Sequence, residues 1–90
     1  MKNKINSLIE IYKKEIEIHK KRGEYASSKA LSWAVECLKN SNKDSESVKH
    51  LSEFFRIEAS VAEDKEQYVR FNILNRVARY LELMVENETA

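Results

Sequence analysis

The sequence predicts an all-α protein, a helical bundle, from three observations. The 90 residues include no proline and a single glycine, so the two residues that most often interrupt helices are nearly absent. Charged residues make up 34% of the chain, while leucine, isoleucine, valine and phenylalanine are too frequent for a disordered segment. Apolar residues also recur every three to four positions. We expect one helical domain over residues 1–90, in which an N-terminal antiparallel αα-hairpin precedes two further helices.

The hairpin is predicted from residues 2–21 and 24–40. Lysines and an arginine fill the last turn of the first helix, where cations complement the helix dipole. Gly23 follows and supplies the left-handed residue with which many helices end. The second helix has a small-residue seam that favours close approach of another helix, made of Ala26, Ala30 and Ala34.

Two architectures are open for the rest of the chain. Asp44 or Ser45 can cap a third helix. The polar segment 63–67 contains neither glycine nor proline, and the apolar periodicity continues through it. Either the chain bends there and closes a four-helix bundle, or residues 44–87 form one long, kinked C-terminal helix of about 65 Å. Usual helix lengths favour the bend, which is the arrangement that we expect.

Residues 68–85 form the most apolar stretch and organise the predicted bundle. At 100° per residue, one line along this helix carries Val69, Ile73, Val77, Tyr80 and Met84. Further apolar residues widen the line to about half the helix circumference, more than an ordinary surface helix shows. Such a helix must contact two or more neighbours, or one neighbour and another molecule.

Composition limits the compartment and the chemistry. Cys37 is the single cysteine, so no internal disulfide forms, and a cytoplasmic location is expected. No apolar run approaches the twenty or so residues of a membrane span. His19 and His50 lie on different predicted helices, and the residues three positions before them, Ile16 and Ser47, lack the glutamate of a Glu-x-x-His metal motif. We therefore expect no enzyme activity, no metal and no cofactor.

Surplus apolar residues are the main functional signal in the sequence. They lie beside the predicted core faces rather than on them, in the first and third helices. Two outcomes are open: a four-helix arrangement buries all of them, or some stay exposed. Because a 90-residue bundle has limited room to bury them, we expect them to contact another protein. The predicted protein-interaction residues are Ile11, Ile18, Phe54, Ile57 and Val61.

Nucleic-acid binding is the alternative function. Residues 1–40 carry nine basic and five acidic side chains, whereas residues 41–68 carry four basic and seven acidic ones. Basic side chains on the hairpin and the last helix suit phosphates and base edges, although Glu82 and Glu86 continue the same helix face. The candidate contacts are Lys13, Lys20, Lys21, Arg22, Arg76 and Arg79.

These patterns favour a small, non-enzymatic helical protein–protein interaction module. We expect it to self-associate as a homo-oligomer, such as a homodimer, and to bind another protein. Its size and its lysine- and asparagine-rich composition would suit a phage or mobile-element regulator that inhibits a host protein.

Overall fold

Four α-helices follow one another along the chain in the computed structural model, which describes residues 1–89. They are α1 (Lys2–Lys21), α2 (Tyr25–Lys39), α3 (Ser45–Asp64) and α4 (Tyr68–Thr89). No strand occurs within this described part of the chain. The all-α fold class, the N-terminal hairpin and the bend between the last two helices are therefore confirmed.

The helices are arranged so that α2 and α4 lie between α1 and α3. Helix α1 packs on α2, α2 packs on α4, and α4 packs on α3. Small residues of α2 and α4, such as Ala30, Ala34 and Ala78, are buried, which is compatible with close helix packing. Helices α1 and α4 run antiparallel, because Lys4 pairs with Glu88 near one end of this pair and Glu15 pairs with Arg76 further along.

Helix α1 ends at the glycine that the sequence identifies. Gly23 has a φ of +73°, in the left-handed region. The amide of Gly23 donates to the carbonyl of Lys20 at 3.1 Å, and the amide of Glu24 donates to the carbonyl of His19 at 2.9 Å. This pair of hydrogen bonds defines a Schellman motif, which satisfies carbonyls that the helix end would otherwise leave unpaired.

Helix α3 ends with the same motif but without a glycine. Glu66 has a φ of +59°, and its amide donates to the carbonyl of Glu63 at 2.9 Å. The amide of Gln67 donates to the carbonyl of Ala62 at 2.8 Å. A glutamate in this conformation carries a steric cost between its Cβ and its carbonyl oxygen. The chain accepts that cost because the reversal brings α4 back onto α3 and α2.

An aspartate side chain begins α3, as the sequence predicts. Asp44 is the N-cap residue, and its Oδ1 accepts a hydrogen bond of 2.8 Å from the amide of Ser47. That hydrogen bond lowers the pKa of the Asp44 carboxyl, because it stabilises the ionised form. The preceding Lys43 has a φ of +62°, which completes the reversal between α2 and α3.

The buried face of α4 lies within the predicted apolar arc but to one side of the predicted line. Val69 and Tyr80, two residues of that line, are exposed, whereas Ile73 and Val77 are buried. The centre of the buried arc is about 70° from the line, at 100° per residue, because α4 packs against both α2 and α3. The buried residues of the arc are Ile73, Leu74, Val77, Ala78 and Leu81.

One member of the predicted alanine seam also lies outside the core. Ala30 and Ala34 are buried, but Ala26 is exposed. The side chain of Ala26 instead lines a shallow groove where α2 approaches the start of α4, near Tyr68 and Val69. The seam therefore begins one turn later than the sequence spacing indicates.

Polar contacts across the C-terminal hairpin hold α3 and α4 in register. Arg56 forms a fork on Glu82, with Nε donating to Oε2 at 2.8 Å and Nη2 donating to Oε1 at 2.9 Å. Its Nη1 donates to Oδ1 of Asn75 at 3.0 Å. On the α2 side, the guanidinium of Arg70 lies 4.6 Å from the centroid of the Trp33 ring, a cation–π contact.

Candidate protein-interaction surfaces

Three apolar side chains of α3 form an exposed line, here called the α3 stripe. It consists of Phe54, Ile57 and Val61. Ile57 is the most exposed of the three, at 62%. The spacing of i, i+3 and i+7 places them on one helix face, roughly opposite the core face that carries Val48 and Ala59. The sequence prediction that these residues lie outside the core is confirmed.

One end of the α3 stripe packs against an aromatic cluster. The Phe54 ring packs against the Trp33 ring of α2 with centroids 5.7 Å apart, and against the Phe55 ring at 6.1 Å. Trp33 also contacts the buried Phe55 edge-on at 5.6 Å. The Phe54 ring is therefore packed against two other aromatic rings on one side and exposed on the other.

Unpaired carboxylates lie beside the α3 stripe. Helix α3 carries five acidic and two basic side chains. Two of these groups are already paired with α4, since Arg56 contacts Glu82 and Glu58 contacts Arg70. Glu53 and Asp64 flank the stripe, are exposed, and have no ion-pair partner among the described residues. The unpaired carboxylates therefore lie along one side of the stripe, and the exposed Lys65 lies one turn beyond Val61.

A second apolar surface, here called the α1/α4 groove, lies between the first and last helices. It has a volume of about 400 Å³. Its apolar lining consists of Leu8, Ile11, Tyr80 and Met84, and its polar lining consists of Asn3, Lys4 and Ser7. A smaller depression of about 100 Å³ adjoins it and is bordered by Tyr12 and by the Glu15–Arg76 ion pair.

The two predicted interaction residues of α1 occupy different positions relative to this groove. Ile11 lines it and is 55% exposed. Ile18 is also exposed but lies two turns further along α1 and does not line the groove. Lys14 and Lys21, each three residues after one of these isoleucines, are exposed and unpaired within the described part of the chain.

Sequence reasoning did not identify the α4 half of the groove. Tyr80 and Met84 were assigned to the core line of α4, whereas the structure places them at its edge. The one available signal was the width of the apolar arc, which exceeds what a single neighbour can cover. Spacing along one helix does not tell which side of such an arc faces solvent.

Most of the candidate nucleic-acid contacts have carboxylate neighbours. Lys13 pairs with Glu10 at 3.3 Å and Lys20 with Glu17 at 3.6 Å. On α4 the same holds for both arginines: Arg76 pairs with Glu15 at 2.7 Å, and Arg79 lies 3.6 Å from Glu82 and 3.8 Å from Glu86. Lys21 and Arg22 are exposed at the end of α1. Nucleic-acid contact through this set stays a prediction, and the mixed charges weaken it.

Titratable groups are spread over the fold. Within the described residues, no group of three or more histidine, cysteine or acidic side chains could hold a metal ion. His19 lies beside two carboxylates, with Nδ1 3.1 Å from Glu24 and Nε2 3.9 Å from Glu15, whereas His50 is exposed. Cys37 is half-buried, and this burial raises the pKa of its thiol, which disfavours the nucleophilic thiolate.

Comparison with known proteins gives no relative from which a function could be carried over. No protein family, no curated protein and no solved structure matches the chain. Over the residues described, none of the helices has the length and apolar character needed to cross a bilayer.

Proposed function

We propose that this chain is a non-enzymatic helical protein–protein interaction module whose binding surface is the α3 stripe. The observation that carries the proposal is the exposure of Phe54, Ile57 and Val61 side by side on a helix whose opposite face is in the core. Contiguous exposed apolar residues with a polar rim are typical of interaction sites.

The chemistry of the stripe specifies the kind of partner. A line at i, i+3 and i+7 suits packing against a second helix. The flanking Glu53 and Asp64 favour a partner with lysine or arginine at the rim of its apolar face, since complementary charges assist association and disfavour wrong partners. The proposed partner surface is therefore an amphipathic helix with basic edges, met in the cytoplasm.

A binding titration tests this proposal. The probe is a fluorescent synthetic peptide of twenty residues, with leucines along one helix face and lysines beside them, followed by anisotropy. We expect saturable binding to the wild-type chain and at least about tenfold weaker binding to Ile57→Asp, which places a charge at the centre of the stripe. Asn72→Asp is the matched control, because it adds the same charge to an exposed site on α4 that belongs to neither the stripe nor the α1/α4 groove.

Two results would contradict the proposal. One is the absence of saturable peptide binding by the wild-type chain. The other is equal affinity for wild type and Ile57→Asp, which would place the binding surface elsewhere. Circular dichroism and thermal melting of each variant establish that the helical fold is retained, and Ile57 is exposed enough for its replacement to leave the core intact.

A further inference from the structure

We infer that the partner of the α3 stripe is a second copy of this chain, whose α1/α4 groove receives Phe54, Ile57 and Val61. The inference rests on the proposed function, because it names the partner of the same surface. It concerns two surfaces that one molecule cannot join by itself, since α2 and α4 separate α1 from α3. Each copy would offer a stripe at one side and a groove at another.

Charge is the first observation that favours this pairing. Helix α1 carries six lysines and three glutamates, whereas α3 carries five acidic and two basic side chains. Lys14 lies one turn beyond Ile11 and has no ion-pair partner within the described part of the chain, whereas Lys4 lines the groove and is paired with Glu88. Glu53 and Asp64, which are also unpaired there, lie beside the stripe. Docking of stripe into groove brings unlike charges together at the rim of an apolar contact.

The similar lengths of the stripe and the groove are the second observation that favours this pairing. The stripe runs from Phe54 to Val61, seven residue-to-residue steps or about 10 Å at 1.5 Å per residue. On α1 the groove extends from Asn3 to Ile11, or about 12 Å. A single helix face can therefore lie along the groove with all three apolar side chains in contact.

Symmetric pairing is less favourable on the same grounds. Two α3 stripes placed face to face would bring Glu53 and Asp64 of each copy against carboxylates of the other. Two grooves placed face to face would leave the unpaired carboxylates of α3 without a basic partner. The contact that the charges favour is therefore heterologous, and it leaves one stripe and one groove available on every pair. Assembly then continues into a ring or an open chain, so the mean mass rises with concentration beyond that of a dimer.

Complementation between two variants tests the inference. Ile57→Asp disables the stripe and keeps the groove, whereas Ile11→Asp disables the groove and keeps the stripe. Analytical ultracentrifugation of the wild type is expected to show concentration-dependent assembly of the 10.6 kDa chain. Each variant alone is expected to remain monomeric, with association weakened at least about tenfold. An equimolar mixture is expected to form a one-to-one dimer that grows no further, because only one intact stripe and one intact groove can meet.

Three outcomes would overturn the inference: a monomeric wild type at every concentration, a variant that assembles like the wild type, or a mixture that stays monomeric. Thermal melts of both variants show whether each is folded, and Asn72→Asp again serves as the control that should assemble normally. The basic-peptide titration distinguishes a failure of self-association from a failure of the proposed function. If the stripe binds the peptide while the chain stays monomeric, the interaction module survives and its partner is another protein.

Discussion

The two hairpin turns of this bundle have the same geometry but different sequences. Gly23 and Glu66 both take a left-handed φ, and both are followed by an amide that closes the six-residue ring of a Schellman motif. The first turn uses the residue that adopts this conformation without steric cost, and the second does not. The comparison teaches that the first reversal is encoded locally, whereas the second depends on what α4 gains by packing against α2 and α3.

The largest expected effect comes from the packing of α4. Leu81 is fully buried, so Leu81→Ala should lower the free energy of unfolding by about 2–5 kcal/mol. Tyr80→Ala, at the neighbouring exposed position, should lower it by about 1 kcal/mol or less. Urea unfolding followed by circular dichroism measures both. Equal losses would mean that the buried arc of α4 is placed incorrectly and that packing does not explain the second turn.

Substitutions at the two turn residues, Gly23 and Glu66, should change the free energy of unfolding in opposite directions. At Gly23 an added Cβ meets nothing within 4 Å, so Gly23→Ala should cost only the conformational penalty, about 1 kcal/mol. Glu66→Gly should instead raise the free energy of unfolding by about 0.5–1 kcal/mol, because relief of the left-handed strain exceeds the added freedom of glycine in the unfolded chain.

Thermal or urea unfolding of the two variants, side by side, makes this comparison direct. Glu66→Ala is the control, since it removes the same charge but keeps a Cβ in the left-handed region. If Glu66→Ala stabilises the protein as much as Glu66→Gly does, the charge rather than the backbone strain is responsible. If Gly23→Ala costs nothing, the first turn is not limited by its glycine.

The smallest effect concerns the ion pair that aligns the C-terminal hairpin. Hydrogen bonds from Arg56 lower the pKa of the Glu82 carboxyl, so the pair stabilises the fold above the unfolded-state pKa of about 4.3 and this stabilisation is lost as the pH falls through the lower folded-state pKa. Because both side chains are partly exposed, Arg56→Ala should cost less than about 1 kcal/mol at pH 7.

Urea unfolding at several pH values measures this contribution. The difference between wild type and Arg56→Ala should shrink as the pH is lowered from 7 towards 3, since a protonated Glu82 no longer forms the ion pair. Arg79→Ala is the matched control: its contacts with Glu82 and Glu86 are longer, at 3.6 and 3.8 Å, and its loss should be below about 0.5 kcal/mol. A difference that is constant with pH would exclude the ionised pair as the cause.

Residue spacing predicted most of the individual helices. The bounds of α1, the glycine at its end and the Asp44 cap all follow from interactions between residues close in the chain, which is why the sequence reveals them. The same holds for Ile57 and Val61, because an apolar line far from the core line of its own helix is visible from periodicity alone. Their exposure could be predicted, although their partner could not.

Tertiary structure determined how the helices pack against one another and which of their faces are buried. The sequence left open whether residues 44–87 bend, because Glu66 gives no local sign of a left-handed turn. It also placed Tyr80 in the core, because an arc covering half a helix can be buried from either side. Which side is covered depends on where α2 and α3 lie, and that position results from contacts between residues far apart in the chain. The α1/α4 groove arises from the same long-range packing, so only the assembled bundle could reveal it.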